Sequence, residues 1–192
     1  MQIPLKVNGK ESSCEYNYLT DCTDSHINVT YELDQLKDKE LDIVDLYKIA
    51  LWKTERYIIV PDDVLAAINA IKCFRTSDIK YAKWESETKK VLNLLLDKNK
   101  VRGANIAMAS TFLRFSNPSA YQIIDERAYR SVYKKSNFPK NGRKAVAIYI
   151  DYMRRLYETF KKTIKGVKII NFEDMDRYLY AKDIDEGNNL VR

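Results

Sequence analysis

The chain has 192 residues, of which 45% are apolar and 31% are charged. This balance excludes a disordered chain and fits one compact domain or two small lobes that share a core. The sequence has no signal segment and no apolar run long enough to cross a bilayer, so neither secretion nor membrane contact is expected. Three cysteines at no framework spacing (Cys14, Cys22 and Cys73) suit a reducing compartment, and we expect a cytoplasmic protein.

Residues 1–40 are rich in turn-forming side chains and predict an irregular N-terminal segment that packs on a helical body. At most short strands are expected there, with the β-prone stretch 27–31 the best candidate. Glycine and proline are scarce in the whole chain, with 5 and 4 residues, while helix-forming residues are common. The fold class expected is therefore mainly α.

The helical part begins near Asp42, where apolar residues recur at intervals of three and four over 41–57. Pro61 opens a second helix, because proline and acidic residues favour a first helical turn. A third helix is predicted over 85–97. A fourth helix over 106–115 ends before Asn117-Pro118.

The C-terminal part carries the positive charge. After Asp125 the pattern predicts a short helix, then a break at Pro139 and Gly142, a long helix over 143–165 and a last helix over 172–182. Residues 127–168 contain 13 Lys/Arg and only two acidic residues in a chain of net charge +6. This asymmetry favours a polyanion partner, and a solvated lysine-rich face is the alternative. We divide the helical part into a core lobe, 41–120, and a basic lobe, 121–192.

The stretch 101-VRGAN-105 predicts the tight turn of an αα-hairpin over 89–115. Gly103 and Asn105 both tolerate positive φ. The turn would then present consecutive backbone amides at a helix N-terminus, which is an anion-binding arrangement. An ordinary glycine-containing helix–helix turn is the alternative. The residues expected to meet phosphate here are Arg102, Gly103, Ala104 and Asn105.

Two blocks, 101-VRGANIAMASTFLRF-115 and 123-IIDERAYR-130, together resemble the helix-hairpin-helix superfamily of base-excision DNA glycosylases. Members carry L-P-G-V-G-x-x-T-A, an apolar helix and then V-D-x-H-V-x-R. Gly103 matches the first hairpin glycine and Ala109 the alanine of T-A. Asp125 matches the catalytic aspartate and Arg130 the arginine that follows it. The resemblance implies a two-lobed helical fold that binds DNA, or RNA, and acts as a hydrolase in base excision repair.

The departures from the family pattern qualify that implication. Asn105 replaces the second glycine, and Arg127 stands where many members have histidine. Ala107 falls where bifunctional members carry the lysine that forms a Schiff base, so the resemblance implies a monofunctional enzyme without β-lyase activity. The cysteines do not fit an iron–sulfur cluster. No cofactor and no metal are expected, because His26 with Cys14 and Cys22 is a weak ligand set.

Asp125 has two interpretations that are compatible with each other. As a carboxylate beside C1′ of a flipped nucleotide, it would stabilise the positive charge that develops when the N-glycosidic bond breaks. As a helix N-cap, it would only accept a backbone N–H. Arg127 and Arg130 are the cations expected near it, and both are expected to bind nucleic acid, as is Lys144.

The end of the first helix, 52-WKTERY-57, is a second candidate for contact with nucleic acid. Trp52 or Tyr57 could stack on a flipped base or act as a wedge, and Lys53 or Arg56 could meet phosphate. A core tryptophan with solvent-reaching cations is the alternative. For the whole chain, a non-catalytic nucleic-acid-binding module of the same fold is the alternative to a glycosylase, and a protein-interaction domain is a third possibility.

Overall fold

A computed structural model describes residues 6–7, 10–11, 32–54, 58–163 and 171–188. Over these residues the protein is mainly helical, which confirms the predicted fold class. The longer α-helices of the described residues are α1 (Ile43–Thr54), α2 (Asp62–Ala70), α3 (Ala82–Leu95), α4 (Ile106–Ser116), α5 (Glu126–Tyr133), α6 (Gly142–Thr163) and α7 (Met175–Asp185). Short 3-10 helices lie at Gln35–Asp38, Thr76–Lys80 and Phe172–Asp174.

The N-terminal segment contains one short antiparallel pair, β1 (Lys6–Val7) with β2 (Lys10–Glu11). The β-prone stretch 27–31 lies outside the described residues. Residues 32–34 are helical and continue into the turn Gln35–Asp38, in a segment predicted to be irregular. Tertiary burial explains the difference, because Leu33 and Leu36 are buried in the core. The helical segment is too short for a hydrophobic period to be recognised in the sequence.

Most helix boundaries follow the sequence pattern. Helix α3 begins at Ala82, three residues before the predicted start, and Trp84 in its first turn is fully buried. The long helix α6 buries the predicted face, with Val146, Tyr149, Ile150 and Met153 inside. Periodicity predicted this helix correctly because apolar residues that recur every 3.6 residues lie on one face of a helix, and that face is buried.

The core is one continuous cluster that runs from Leu33 to Leu179. Helix α4 is central, since ten of its residues are buried and it packs chiefly on α1. Helix α3 packs on α6, and α5 packs on α7. The predicted hairpin partners α3 and α4 therefore each pack mainly on another helix. Their connection spans 96–105, which is longer than the tight turn expected there.

No helix in the described part of the chain combines the length and the apolar character needed to cross a membrane.

Candidate functional site

Asp125 is the N-cap residue of α5, as the sequence predicted. Its Oδ1 accepts a hydrogen bond of 2.9 Å from the backbone N–H of Ala128. Its Oδ2 lies 3.8 Å from Nζ of Lys53, at the end of α1. The two side chains are 28% and 22% exposed, so the ion pair is reached by water. The carboxylate thus caps a helix with one oxygen and faces an ammonium with the other.

Buried hydrogen bonds fix the segment that leads into Asp125. The hydroxyl of Tyr149 donates to the carbonyl of Gln122 at 3.0 Å, and that of Tyr152 donates to the carbonyl of Ile123 at 2.9 Å. Burial raises the pKa of both tyrosines well above the usual value, so both remain donors. The N–H of Ile124 donates to Oγ of Ser110 at 3.1 Å. The position of Asp125 is therefore set by α4 and α6 as well as by its own helix.

A cavity of about 230 Å³ lies in front of Asp125. Its wall combines residues from the sequence-predicted core lobe with residues from the basic lobe. One side is aromatic and apolar, and there Trp52 meets Phe115 edge to face with ring centroids 5.3 Å apart. The cavity lies below the range of about 300–1,000 Å³ that is typical of drug-sized ligands. The residues that line it are Trp52, Lys53, Arg114, Phe115, Ile123, Asp125, Ala128, Asp176, Arg177 and Tyr180.

The opposite side of this cavity is a network of ion pairs centred on Arg114, whose side chain is 4% exposed. Its Nη1 donates to Oδ1 of Asp34 at 2.6 Å, and its Nε lies 3.6 Å from Oδ2 of Asp176. Arg177 donates to both oxygens of Asp34, at 2.8 and 2.7 Å. Burial raises the pKa of Asp34, but the two guanidinium groups outweigh it and hold that pKa below its usual value. These charges compensate one another, so the network forms a polar wall with little net charge.

No role was predicted from the sequence for Arg114, Asp176 or Arg177. One signal was available for Arg114, because it is the only charged residue within the apolar run 106–115. A charged residue on the buried face of a helix is expected to have a partner. The identity of that partner, Asp34, could not be read from the sequence.

Arg127 and Arg130 lie on α5, where both are held by Asp183 of α7. Asp183 is fully buried, and Nε and Nη2 of Arg130 donate to its two oxygens at 2.7 and 2.5 Å. Nη1 of Arg127 lies 3.1 Å from Oδ2 of Asp183 and also donates to the carbonyl of Asn188. The two guanidinium groups therefore join α5 to α7. Their contact with nucleic acid stays a prediction.

The turn before α4 adopts only part of the predicted conformation. Gly103 has φ of +85°, but Asn105 has φ of −124° and is extended rather than left-handed. Asn105 instead caps α4, and its Oδ1 accepts from the N–H of Met108 at 3.0 Å. The N–H of Ile106 donates to the carbonyl of Lys140 at 2.9 Å. Two amides at the helix N-terminus are thus already satisfied and are not available to the anion-binding arrangement expected at this end.

Exposed cations lie on the same turn and on the segment that packs against the start of α4. Because the carbonyl of Lys140 accepts from Ile106, the segment that begins α6 lies against the start of α4. Arg102, Lys140, Arg143 and Lys144 are all exposed. In the part of the chain that the structure describes, no carboxylate lies within ion-pairing distance of these four side chains. We call them the turn cations.

The remaining predicted residues divide in two. Trp52 and Lys53 line the cavity beside Asp125, which brings two predicted sites together. Arg56 and Tyr57 lie outside the described residues, as do His26, Cys14 and Cys22. Ala104 is buried at the turn.

Comparisons with known proteins return no match: no family model fits the chain, and no curated protein or solved structure is significantly similar. The resemblance to helix-hairpin-helix glycosylases therefore rests on the residues of the two blocks alone.

Proposed function

We propose that this protein binds DNA and hydrolyses the N-glycosidic bond of a damaged or modified base, as a monofunctional glycosylase. The observation that carries the proposal is the cavity of about 230 Å³ in front of Asp125. Enzymes that act on a base take it out of the stack into a snug pocket that stacks it against aromatic or apolar side chains. Trp52 and Phe115 offer such a wall beside a carboxylate.

Asp125 has the chemistry that the reaction requires. Breaking the bond between sugar and base develops positive charge on the sugar, and a nearby carboxylate stabilises that charge or orients the attacking water. Oδ1 is held by the N–H of Ala128, which fixes the direction of Oδ2. Displacing the Lys53 ammonium from Oδ2 costs little, because partly exposed ion pairs contribute only about 0–1 kcal/mol.

The turn cations bind the phosphate backbone of the DNA. Phosphate contacts position a protein on DNA, and each neutralised phosphate releases counterions. If one of these cations contacts a phosphate, its removal makes the negative slope of log K against log salt concentration shallower by about 1. Lys144→Gln should do so, whereas Lys161→Gln should not, since Lys161 pairs with Glu158 at 3.2 Å. Equal slopes for wild type and Lys144→Gln would remove Lys144 from the interface.

The second candidate is a non-catalytic nucleic-acid-binding module. One observation favours it, because both oxygens of Asp125 already have partners, Ala128 and Lys53. A carboxylate engaged in this way can serve the structure alone. On this view the turn cations would bind the strand and the cavity would have no catalytic role.

A single-turnover base-release assay separates the two candidates. Duplexes that contain an alkylated, oxidised or deaminated base are incubated with wild type, Asp125→Asn and Glu126→Gln, and a duplex with an abasic site is the control for strand cleavage. Asn keeps the N-cap, because asparagine and aspartate cap equally well. Glu126→Gln is the matched control, since it removes the adjacent negative charge from a residue that does not line the cavity.

We expect release by wild type and Glu126→Gln on at least one lesion and none by Asp125→Asn. Binding without release on every substrate would favour the binding module. A borohydride arm tests the chemistry, since Lys53 is the one primary amine among the residues that line the cavity. Hydrolysis gives no covalent adduct between the protein and DNA. If borohydride traps an adduct with wild type but not with Lys53→Met, the reaction proceeds by attack of the Lys53 amine and not by hydrolysis.

A further inference from the structure

A second cavity, of about 330 Å³, lies at the C-terminal end of α4, where Ser116 and Asn117 line it. It is bounded by the 3-10 turn Gln35–Asp38, the segment 72–75 and the segment 116–119. Its volume falls within the range of about 300–1,000 Å³ that is typical of small-molecule sites. Nothing in the proposed glycosylase reaction uses this cavity.

Three cations line the second cavity against two carboxylates. Lys37 pairs with Glu173 at 3.4 Å. Arg75 is exposed, and its guanidinium has no carboxylate partner in the part of the chain that the structure describes. With Asp38 as the second carboxylate, the lining has a net charge of +1. The imbalance favours an anionic ligand.

Lys72 is the innermost of these cations. Its ammonium donates to the backbone carbonyls of Leu36, at 3.1 Å, and Lys39. Burial lowers the pKa of Lys72, and the more distant carboxylates of Asp45 and Asp38 only partly offset the effect. A partly buried ammonium held by neutral carbonyls gains from an anion that comes into contact with it.

Ser116 supplies an independent observation at the wall of the same cavity. Its side chain is buried, and its Oγ has no hydrogen-bond partner among the described residues. An unsatisfied buried hydroxyl costs about 1–3 kcal/mol and calls for an explanation. A ligand oxygen that reached this hydroxyl from the cavity would satisfy it.

We propose that the second cavity binds a phosphate monoester, with Lys72 and Arg75 contacting the phosphate oxygens and Ser116 donating to one of them. Guanidinium and ammonium groups together match a phosphate, which accepts several charge-assisted hydrogen bonds. The group belongs either to a free small molecule or to the end of a nucleic-acid strand. The site does not depend on glycosylase activity.

Cys73 is an exposed thiol that lines the cavity, so its alkylation reports on occupancy. The rate of iodoacetamide modification at Cys73 is followed by peptide mass spectrometry, with inorganic phosphate varied against chloride at constant ionic strength. If a bound phosphate blocks the thiol, phosphate at ten times its Kd should slow the reaction about 11-fold. Arg75→Gln and Ser116→Ala should weaken the protection, and Lys83→Gln, an exposed control on α3, should not.

Urea midpoints of the variants confirm that each is folded. A rate that does not depend on phosphate, or the same protection in Arg75→Gln, overturns the proposal. A 5′-mononucleotide and a 5′-phosphorylated oligonucleotide then identify the source of the phosphate. Protection by the mononucleotide at the same concentration indicates a small-molecule site, and tighter protection by the phosphorylated strand indicates a strand end. Equal protection by an unphosphorylated strand would also overturn the proposal.

Discussion

Replacing Asp183 by asparagine should lower the free energy of unfolding more than the loss of any surface ion pair does. The carboxylate is fully buried and holds the guanidinium groups of Arg127 and Arg130. Removing one partner of a buried ion pair typically costs about 3–5 kcal/mol, because the remaining charges stay uncompensated. The two arginine side chains are 14% and 17% exposed, so water relieves part of the cost. We therefore expect the lower end, about 3 kcal/mol.

The assay is urea unfolding followed by circular dichroism, with the free energy of unfolding taken from the midpoint and the m value. For a chain of this length, about 3 kcal/mol corresponds to a fall in Tm of about 6–12 °C. Glu186→Gln is the matched control near the same helix. Glu186 pairs with Lys134 at 3.1 Å in an exposed position, where a pair contributes about 0–1 kcal/mol.

The result also decides how the two arginines are interpreted. If Asp183→Asn costs no more than Glu186→Gln, then the network does not stabilise the fold, and Arg127 and Arg130 are available for nucleic acid. If it costs the expected amount, substitutions at either arginine will weaken DNA binding partly through unfolding. Binding data for those variants then have to be read beside their stability.

Three further predictions concern local structure and pH. Asp125→Ala should lower the free energy of unfolding by about 1 kcal/mol and Asp125→Asn by much less, because only alanine removes the cap; urea midpoints that are equal for the two variants would contradict the cap. Gly103→Ala should cost about 1 kcal/mol through its φ of +85° alone, because a Cβ there meets no atom within 4 Å; an unchanged midpoint would show that the turn relaxes. Asp34 and Asp183 have pKa values lowered by their arginine partners despite burial, so their stabilisation is present above the unfolded pKa of about 3.9 and is lost as pH falls through the folded pKa values. Unfolding free energy measured from neutral pH downward should therefore fall below about pH 4, and less steeply in a variant that lacks Asp183.

Local physics determined much of the fold, and those parts could be predicted from sequence. The cap at Asp125 depends on one side chain and an amide three residues later, and the positive φ at Gly103 depends on the missing Cβ. The long helix α6 follows from a period of 3.6 residues. The limits of α3 and the helical turn at Leu36 were missed, because burial against distant residues outweighs weak local preference there.

The candidate site was decided by tertiary structure. The sequence named Asp125 and Lys53 separately, but only the packing of α1 beside the start of α5 brings their charged atoms within 3.8 Å. The pairing of Arg114 with Asp34 is of the same kind. Asn105 shows the limit at a single residue, since its side chain tolerates a left-handed turn and a cap equally, and it caps α4. Sequence determines which side chains are capable of chemistry, whereas the distances between them come from helix packing, which depends on shape complementarity across the whole core.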